Sequence, residues 1–496
     1  MNKKIKALII GGAVLVVLVG VLVTLLLLNQ NGEGETSSSS SSSASVNVLE
    51  KNVNNIQTLT IKNAKEEIVM RQSEDSVFSV DALQDLPADQ SEVKSAFSAM
   101  AVIDAIKIVD SSPEDLGEYG LDNPTVVEAS FKDGTSCVLK IGQQSPLKDG
   151  YYAMLEGDSN LYLLSEDPYG TFCTILSKDY LTRAIISDNQ GKEASELVAK
   201  MILNRDDIGQ ELVFEQIDDD EDEHFAPMYA SAFVMTSPIK AYVESTYFDD
   251  IADNAISFTA SSIVGIFPTD EELQQYGLTD PQATFIVEMK DGSRIEVRVG
   301  NECYGDPTED EESTTVTGYY VQLVGRDAVY YIKTGQMPFM YTSVFDMLSQ
   351  IAFAPSITEV DTLTVNAQGK EYLVDFTQEE TASEDEDSSE VSVTGTVNGT
   401  AVDQDKLTDF YVYVVSALAN DIYIETPSGA PILTLTFRFN DSSLEPLTVT
   451  FHDIGDRKAS ITINGQTRFE TRMSYVTTFY DNIEAIAQNK EINPNY

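Results

Sequence analysis

Past residue 46 the chain alternates between two hydrophobic periods. In "NIQTLTIKNAKEEIVMRQSEDSVFSV" apolar and polar residues alternate in twos around short polar breaks, which predicts an opening strand, a turn and a strand. "DQSEVKSAFSAMAVIDAIKIV" follows with Val93, Ala96, Phe97, Met100 and Ile103 on one helical face. Asp104 and Lys107 fall on that same face, so the helix is expected to end near there. Alternation then returns in "ASFKDGTSCVLKIG" around Asp133-Gly134, the local signature of a hairpin, and in "GYYAMLEGDSNLYLL", a further strand pair. "DPYGTFCTILSKDYL" spaces its aromatic and aliphatic residues as a closing helix would.

This order is written again. "EYGLDNP" at 118–124 recurs as "QYGLTDP" at 275–281, and the match extends downstream to "VEMKDGSRIEVRVG", "GYYVQLVGRDAVYYI" and "QMPFMYTSVFDMLSQI". The second copy carries an insertion, "NECYGDPTEDEESTTVT", expected as an acidic loop between strands. Upstream, "ELVFEQIDDDEDEHFAPMYASAFVMTSP" answers the opening strands and "ADNAISFTASSIVGIF" answers the helix. A decayed third copy is expected in the remainder. "EVDTLTVNAQGKEYLVDF" opens it, "KLTDFYVYVVSALANDIYI" supplies its helix, and "SGAPILTLTFRFNDSS" keeps Gly429 and Pro431 while losing the Tyr and Leu. The alternative is two copies followed by an unrelated end domain. The reading is an α+β fold with two to three tandem repeats of antiparallel sheet plus helices at 47–190, 191–354 and 355–496.

The shared heptapeptide reads as a structural motif made of Tyr119, Gly120, Leu121 and Pro124, and of Tyr276, Gly277, Leu278 and Pro281. Glycine enters the left-handed conformation that ends a helix without steric cost. Proline lacks an amide hydrogen and suits the first position of a strand. Tyr and Leu flank the glycine where they can pack the turn onto a core. Neither tyrosine has a neighbouring His, Lys or Cys within its motif, so an acid–base role is disfavoured.

The amino terminus changes the picture of where this body resides. Residues 7–28, "ALIIGGAVLVVLVGVLVTLLLL", hold no charge and follow Lys3, Lys4 and Lys6. As a helix the stretch would be about 33 Å long, enough to cross a hydrocarbon core of about 30 Å. Residues 1–28 are therefore expected as a cytoplasmic basic end followed by an N-terminal transmembrane helix over 7–28, with the rest extracytoplasmic in a single pass. A cleaved signal peptide is the rival, but its apolar region is normally shorter and is followed by a small-residue cleavage site, which is missing here. The Ser/Gly-rich stretch at 29–46 reads as a flexible linker, with a glycosylated stalk as the alternative.

The YGL-x-x-P turn, the Asp-Gly strands, the "IG" or "VG" strand end and the "GYY" strand together resemble the bacterial family catalogued as domain of unknown function 4340 (DUF4340). An aromatic residue opens the second strand in that pattern, and Phe78 and Phe233 stand there. The resemblance implies a membrane anchor with an exported body and an accessory envelope role, some members lying near ABC-type transport and gliding systems. It implies no catalytic residue.

Composition narrows the chemistry. With 81 acidic against 31 basic residues the net charge is −50, which repels phosphate backbones, so no nucleic-acid partner is expected. Cys137, Cys173 and Cys303 form no CxxC pair. His224 and His452 lack metal-ligand spacing; His224 is expected at the surface and His452 in a strand. "DDDEDE" at 218–223 fails as a calcium loop, since Glu223 and Tyr229 fall at its sixth and twelfth positions, and it reads with "EDEDSSE" and "EDEE" as solvated loop. No catalytic, cofactor-binding or metal residue is assigned and no cofactor is expected. The leading expectation is a non-enzymatic, membrane-anchored scaffold or binding protein of the cell envelope, with the membrane and another envelope protein or polymer as partners. An accessory subunit of an ABC-type exporter and an envelope enzyme with an unrecognised site are the alternatives.

Overall fold

Strand-forming sequence outweighs helix-forming sequence. The computed structural model describes residues 45–165, 167–187, 191–217, 223–309, 312–382 and 389–496. It is mostly β, with 43% strand and 20% helix in antiparallel sheets, which corrects the α+β expectation. The physical reason lies in the segments between the long helices: "VIDAIKIV", "ISFTASSIVGI" and "PFMYTSVFDML" are rich in β-branched and aromatic residues and interrupted by Gly and Pro, which favour extended chain or single turns. Among the described residues no helix is long and apolar enough to cross a membrane. The basic end and span expected over 1–28 lie outside them, as do residues 29–44 of the linker, most of the acidic run at 218–223 and parts of those at 309–312 and 384–390.

The first set of strands is β1 (Val46–Glu50), β2 (Ile56–Lys62), β3 (Glu67–Gln72) and β4 (Phe78–Val80). Helix α1 (Gln90–Ala101) leads into β5 (Val102–Asp110), then β6 (Thr125–Phe131), β7 (Ser136–Gln144), β8 (Tyr151–Leu155) and β9 (Leu161–Leu164). Short helix α2 (Asp167–Phe172) and β10 (Ala184–Ser187) follow. The second set is α3 (Ala194–Leu197), β11 (Val198–Arg205), β12 (Leu212–Gln216), β13 (Ala230–Ser237), β14 (Ala241–Glu244), α4 (Ser245–Asn254), β15 (Ser257–Thr259) and β16 (Ser262–Ile266). It continues with α5 (Asp270–Gln275), β17 (Ala283–Met289), β18 (Arg294–Cys303), β19 (Gly318–Leu323) and β20 (Ala328–Lys333). The third set is β21 (Val360–Ala367), β22 (Lys370–Ala382), β23 (Ser389–Val397), β24 (Thr400–Val402) and α6 (Gln404–Val415). It ends with β25 (Asp421–Ile422), β26 (Leu433–Phe439), β27 (Leu447–Gly455), β28 (Lys458–Ile463), β29 (Gln466–Arg472) and α7 (Met473–Ile486).

The chain divides into two compact units. The smaller, whose described part lies within 45–50, 102–124 and 139–169, carries the strand run β1-β5-β9-β8-β7. The larger carries the run β6-β2-β3-β4, the two-stranded β10-β15 and two nine-stranded sheets. These run β14-β13-β12-β11-β17-β18-β19-β20-β16 and β24-β23-β22-β21-β26-β27-β28-β29-β25. Counted in its own chain order, each nine-stranded sheet reads fourth, third, second, first, sixth, seventh, eighth, ninth, fifth. The runs of the first set follow the same order without a fourth strand.

Local details recur with the order. The ladder slips by one residue at the start of β2, β11 and β21, between Ile56 and Thr58, Val198 and Lys200, and Val360 and Thr362. The amides of Lys132, Lys290 and Asn440 bond to the carbonyls of Asn55, Leu197 and Glu359 at 2.9, 2.8 and 2.9 Å. Each of α1, α4 and α6 is followed at once by residues that receive an extended segment from earlier in the chain. Val102–Ala105 pairs with β1, Ser257–Thr259 with β10, and Leu418 with Ile351. Phe78 and Phe233 occupy corresponding strands and pack on the helix that follows, against Phe97 and Phe248, with ring centroids 5.0 and 6.1 Å apart.

Several helix expectations change. Helix α1 buries Val93, Ala96, Phe97 and Met100 as its spacing predicts, but stops at Ala101, and Ile103 is buried from a strand. In the second set the helix is Ser245–Asn254, upstream of the segment read as helical, which forms β15 and β16. The closing helices shrink to α2 in the first set and to single 3-10 turns at Thr334–Gln336 and Pro338–Met340 in the second. Gly335 and Pro338 favour a break there. The third set ends in α7, which buries Tyr475, Val476, Phe479 and Ile483.

Candidate functional site

The repeated heptapeptide folds into the same device twice. In the first copy a 3-10 turn, Gly117–Tyr119, is ended by Gly120 at φ 67°. In the second, Thr269 and Glu272 cap α5 reciprocally, so a full helical turn precedes Gly277 at φ 72°. The amide of Leu121 bonds to Leu116 O at 3.0 Å and that of Leu278 to Leu273 O at 2.9 Å. Both leucines are buried, which stabilises each turn by about 2 kcal/mol. Pro124 stands immediately before β6, and Pro281 two residues before β17.

The strand end that faces each turn is cut to fit. A β-carbon at Gly142 or Gly300 would collide with the carbonyl oxygen of Tyr119 or Tyr276, so the backbone approach requires glycine. The residue after each glycine reaches back: Gln143 Nε2 donates to Glu118 O at 2.7 Å and Asn301 Nδ2 to Gln275 O at 2.8 Å. Tyr119 then packs on Tyr152 with centroids 4.9 Å apart, and Tyr276 on Tyr320 at 4.5 Å. Partial burial, reinforced by Glu118 and neighbouring carboxylates at Tyr119 and by Glu272 at Tyr276, pushes both phenols above their usual range. They keep their protons at neutral pH and can serve as no base. The arrangement holds a turn against a sheet.

The third sheet puts different chemistry at the same address. Ala283 pairs with Arg205 and Val299, and Leu433 pairs with Ala367 and Phe451. The next residue, Gly300 in the second sheet, is therefore His452 in the third. By the same ladders Ser460 takes the place of Tyr320, and Glu470 that of Tyr331. His452, Ser460, Glu470 and Asp421 form one cross-strand row over β27, β28, β29 and β25. Gly429 keeps the left-handed conformation at φ 89°, but a β-carbon there would meet only open space.

A serine, a histidine and a carboxylate in one row invite comparison with a nucleophilic triad, which needs a serine bonded to the imidazole and open to substrate. Ser460 is 0% exposed, and neither its Oγ nor Nδ1 of His452 has a hydrogen-bond partner. Glu470 accepts from Lys458 Nζ, which holds the lysine above its usual range. Burial pushes His452 below the ordinary histidine range, so its ring is neutral. The row runs from half-buried His452 through buried Ser460 and Glu470 to exposed Asp421, and its serine is closed to substrate. The sequence signal for it was the period of two in "LTVTFHDIG" and "KASITI", which puts His452 and Ser460 on the face opposite Phe451 and Ile461.

The remaining candidates are engaged elsewhere. His224, expected at the surface, is half-buried, with Nδ1 3.1 Å from Glu359 Oε2. Phe225 beside it packs on Phe439 at 5.1 Å. All three cysteines are free thiols; burial raises each, Cys303 to about 12, which leaves none a ready nucleophile. Among the described residues no cluster of three His, Cys, Asp or Glu could hold a metal ion.

Residues 79–257 match the model of a family described as Domain of unknown function (DUF4340). The match bears out the resemblance read from the YGL, Asp-Gly and GYY motifs. It begins in β4 and ends at the first residue of β15, so the DUF4340 region takes in Tyr119 to Pro124 and leaves Tyr276 to Pro281 outside. Neither a search of curated proteins nor one of solved structures found a match.

Proposed function

We propose that this chain is a non-enzymatic scaffold of the bacterial cell envelope, tethered to the membrane through residues 7–28. Its sheets lie on the extracytoplasmic side and bind another envelope protein or an envelope polymer. One observation carries this reading. The positions that repetition preserves between the first and second copies are spent on packing: two turn glycines, two strand-end glycines set against carbonyls, and Tyr119 and Tyr276, each packed on a second tyrosine ring. A chain that repeats its packing devices also repeats the strand edges they support, and strand edges suit recognition of an extended partner.

Photo-crosslinking in intact cells from single positions on the exposed strands, followed by mass spectrometry, tests the proposal. The expected result is one envelope protein or polymer captured from neighbouring positions, with the chain retained in the membrane fraction after a high-salt wash. Release by salt, or capture no greater than in unirradiated cells, would contradict it.

A further inference from the structure

Within the larger unit, segments 345–351, 416–420 and 494–496 close around a cleft of about 590 Å³ beside Arg472, the last residue of β29. That volume lies within the span of about 300–1,000 Å³ usual for small-molecule sites. The walls are tied to one another. Leu418 bridges to Ile351, the Ala419 amide donates to Gln350 O at 2.6 Å, and Thr471 Oγ1, one residue before Arg472, donates to Leu418 O at 2.7 Å. The third wall is pinned from the core: Asn482 of α7, 1% exposed, exchanges two hydrogen bonds with the Asn493 backbone at 2.7 and 2.8 Å. Tyr496 Oη donates to Ser416 O at 2.6 Å and accepts from the Leu418 amide at 3.1 Å, while its ring packs on Tyr475 with centroids 5.2 Å apart. A ligand would meet a cleft already shaped, and so would spend little affinity on ordering it.

The lining divides by chemistry. Phe345, Ile351, Leu418 and Tyr496 supply apolar surface, with Leu418 41% exposed. Arg472 is the one charged side chain among the lining residues, and among the described residues its guanidinium makes no hydrogen bond and no ion pair. Glu470, two residues earlier on the same side of β29, is engaged by Lys458. In a chain whose acids outnumber its bases by 81 to 31, this guanidinium still has no carboxylate of its own.

We propose that the cleft binds a small organic carboxylate with an apolar body, the carboxylate on Arg472 and the body along Phe345, Ile351 and Leu418. A guanidinium grips a carboxylate through two parallel hydrogen bonds, so one arginine suffices for one such group. A phosphate monoester carries a charge of about −1.5 to −2, and with no second base in the cleft and −50 on the whole chain the added charge is repelled. A bare inorganic anion would leave the apolar lining uncovered. The proposal goes beyond the scaffold reading and does not rest on it, since the ligand is small and no macromolecular partner is needed.

The test uses the full chain in nanodiscs of neutral lipid, titrated with octanoate in an isothermal calorimeter against empty nanodiscs. Saturable binding at one site per chain is expected. Arg472→Gln should weaken it about tenfold or more, a loss of about 1.4 kcal/mol or more. Arg472→Lys, which keeps the charge and loses the paired geometry, should fall between the two. 1-Octanol, with the same body and no charge, should bind the unaltered chain as weakly as octanoate binds the Arg472→Gln variant. Leu418→Asn should also weaken octanoate, while Arg457→Gln, at an exposed arginine outside the cleft, should leave it unchanged. No saturable binding, or equal binding of octanol, would overturn the proposal. So would equal weakening by Arg457→Gln, which would point to general attraction of anions to exposed arginine. Tighter binding of octyl phosphate than of octanoate would overturn it in favour of a phosphate site. Tighter binding of a peptide ending in a free carboxylate, lost on amidation, would make a protein chain end the occupant and overturn it equally.

Discussion

Gly142 and Gly300 carry no side chain because the carbonyl of Tyr119 or Tyr276 occupies the place where a β-carbon would project. Gly300→Ala must therefore move backbone, and is expected to cost about 1–3 kcal/mol in urea denaturation. Gly429→Ala has only its left-handed conformation to pay for, about 1 kcal/mol. Equal costs at the two sites would show that the close approach is not what selects glycine. His452, in the place of Gly300, gives the third sheet a pH response. Its ring is half-buried with Nδ1 enclosed and unpartnered, Ser460 beside it is neutral, and Glu470 in the same row is already engaged by Lys458. Since burial lowers the folded value, the unfolded chain takes up the proton first as pH falls through about 6.5. The contribution is whole above that pH and is lost progressively below it. Denaturation midpoints of the third sheet should fall between about pH 7 and 5, and His452→Gln should flatten that slope. An unchanged slope in the variant would assign the response to another group.

At the level of elements, the segment received behind each of α1, α4 and α6 ties a strand set to chain that precedes it. Ile186 in β10 is 3% exposed and pairs with Phe258 in β15. Ile186→Asp places an unpaired charge there and should cost about 3 kcal/mol or more. Hydrogen exchange should speed up in β15 and α4, with β26 to β29 unaffected. Uniform loss of protection across all these strands would mean that the sheets open as one. Elements were legible where period and punctuation agreed. The Asp-Gly hairpins, the buried face of α1 and the YGL turns fall where the sequence puts them, since Gly134, Gly292, Gly120 and Gly277 all take positive φ. Boundaries were lost where a helical spacing of apolar residues was carried by β-branched ones. "VIDAIKIV" supports either period, and the ladder to β9 decided for strand. For His452, Ser460 and Glu470 the period of two gives each residue its face, but they lie on three strands and only the register brings them together.

For the whole molecule, net charge and topology set the terms. A charge of −50 repels itself in any compact state, so raising salt from about 0.01 to 0.15 M, which shortens the Debye length from about 30 to 8 Å, should raise the thermal midpoint. A midpoint that falls would mean that the few ion pairs matter more than the excess of like charge. The balance of the fold is mostly β rather than α+β because several segments with helical spacing, such as ADNAISFTASSIVGIF and QMPFMYTSVFDMLSQI, form mainly strands or single turns. The shared strand order of the second and third sheets is the central structural claim, and in the third sheet it persists although the Tyr and Leu of the turn are gone. Disulfide trapping tests it most directly. In a chain lacking Cys137, Cys173 and Cys303, the cross-strand neighbours Thr364 and Thr436 of β21 and β26 are both replaced by cysteine, and so, separately, are Lys200 and Glu288 of β11 and β17. Both pairs should close under mild oxidation. A second-sheet pair that closes while the third-sheet pair stays reduced would contradict the common plan.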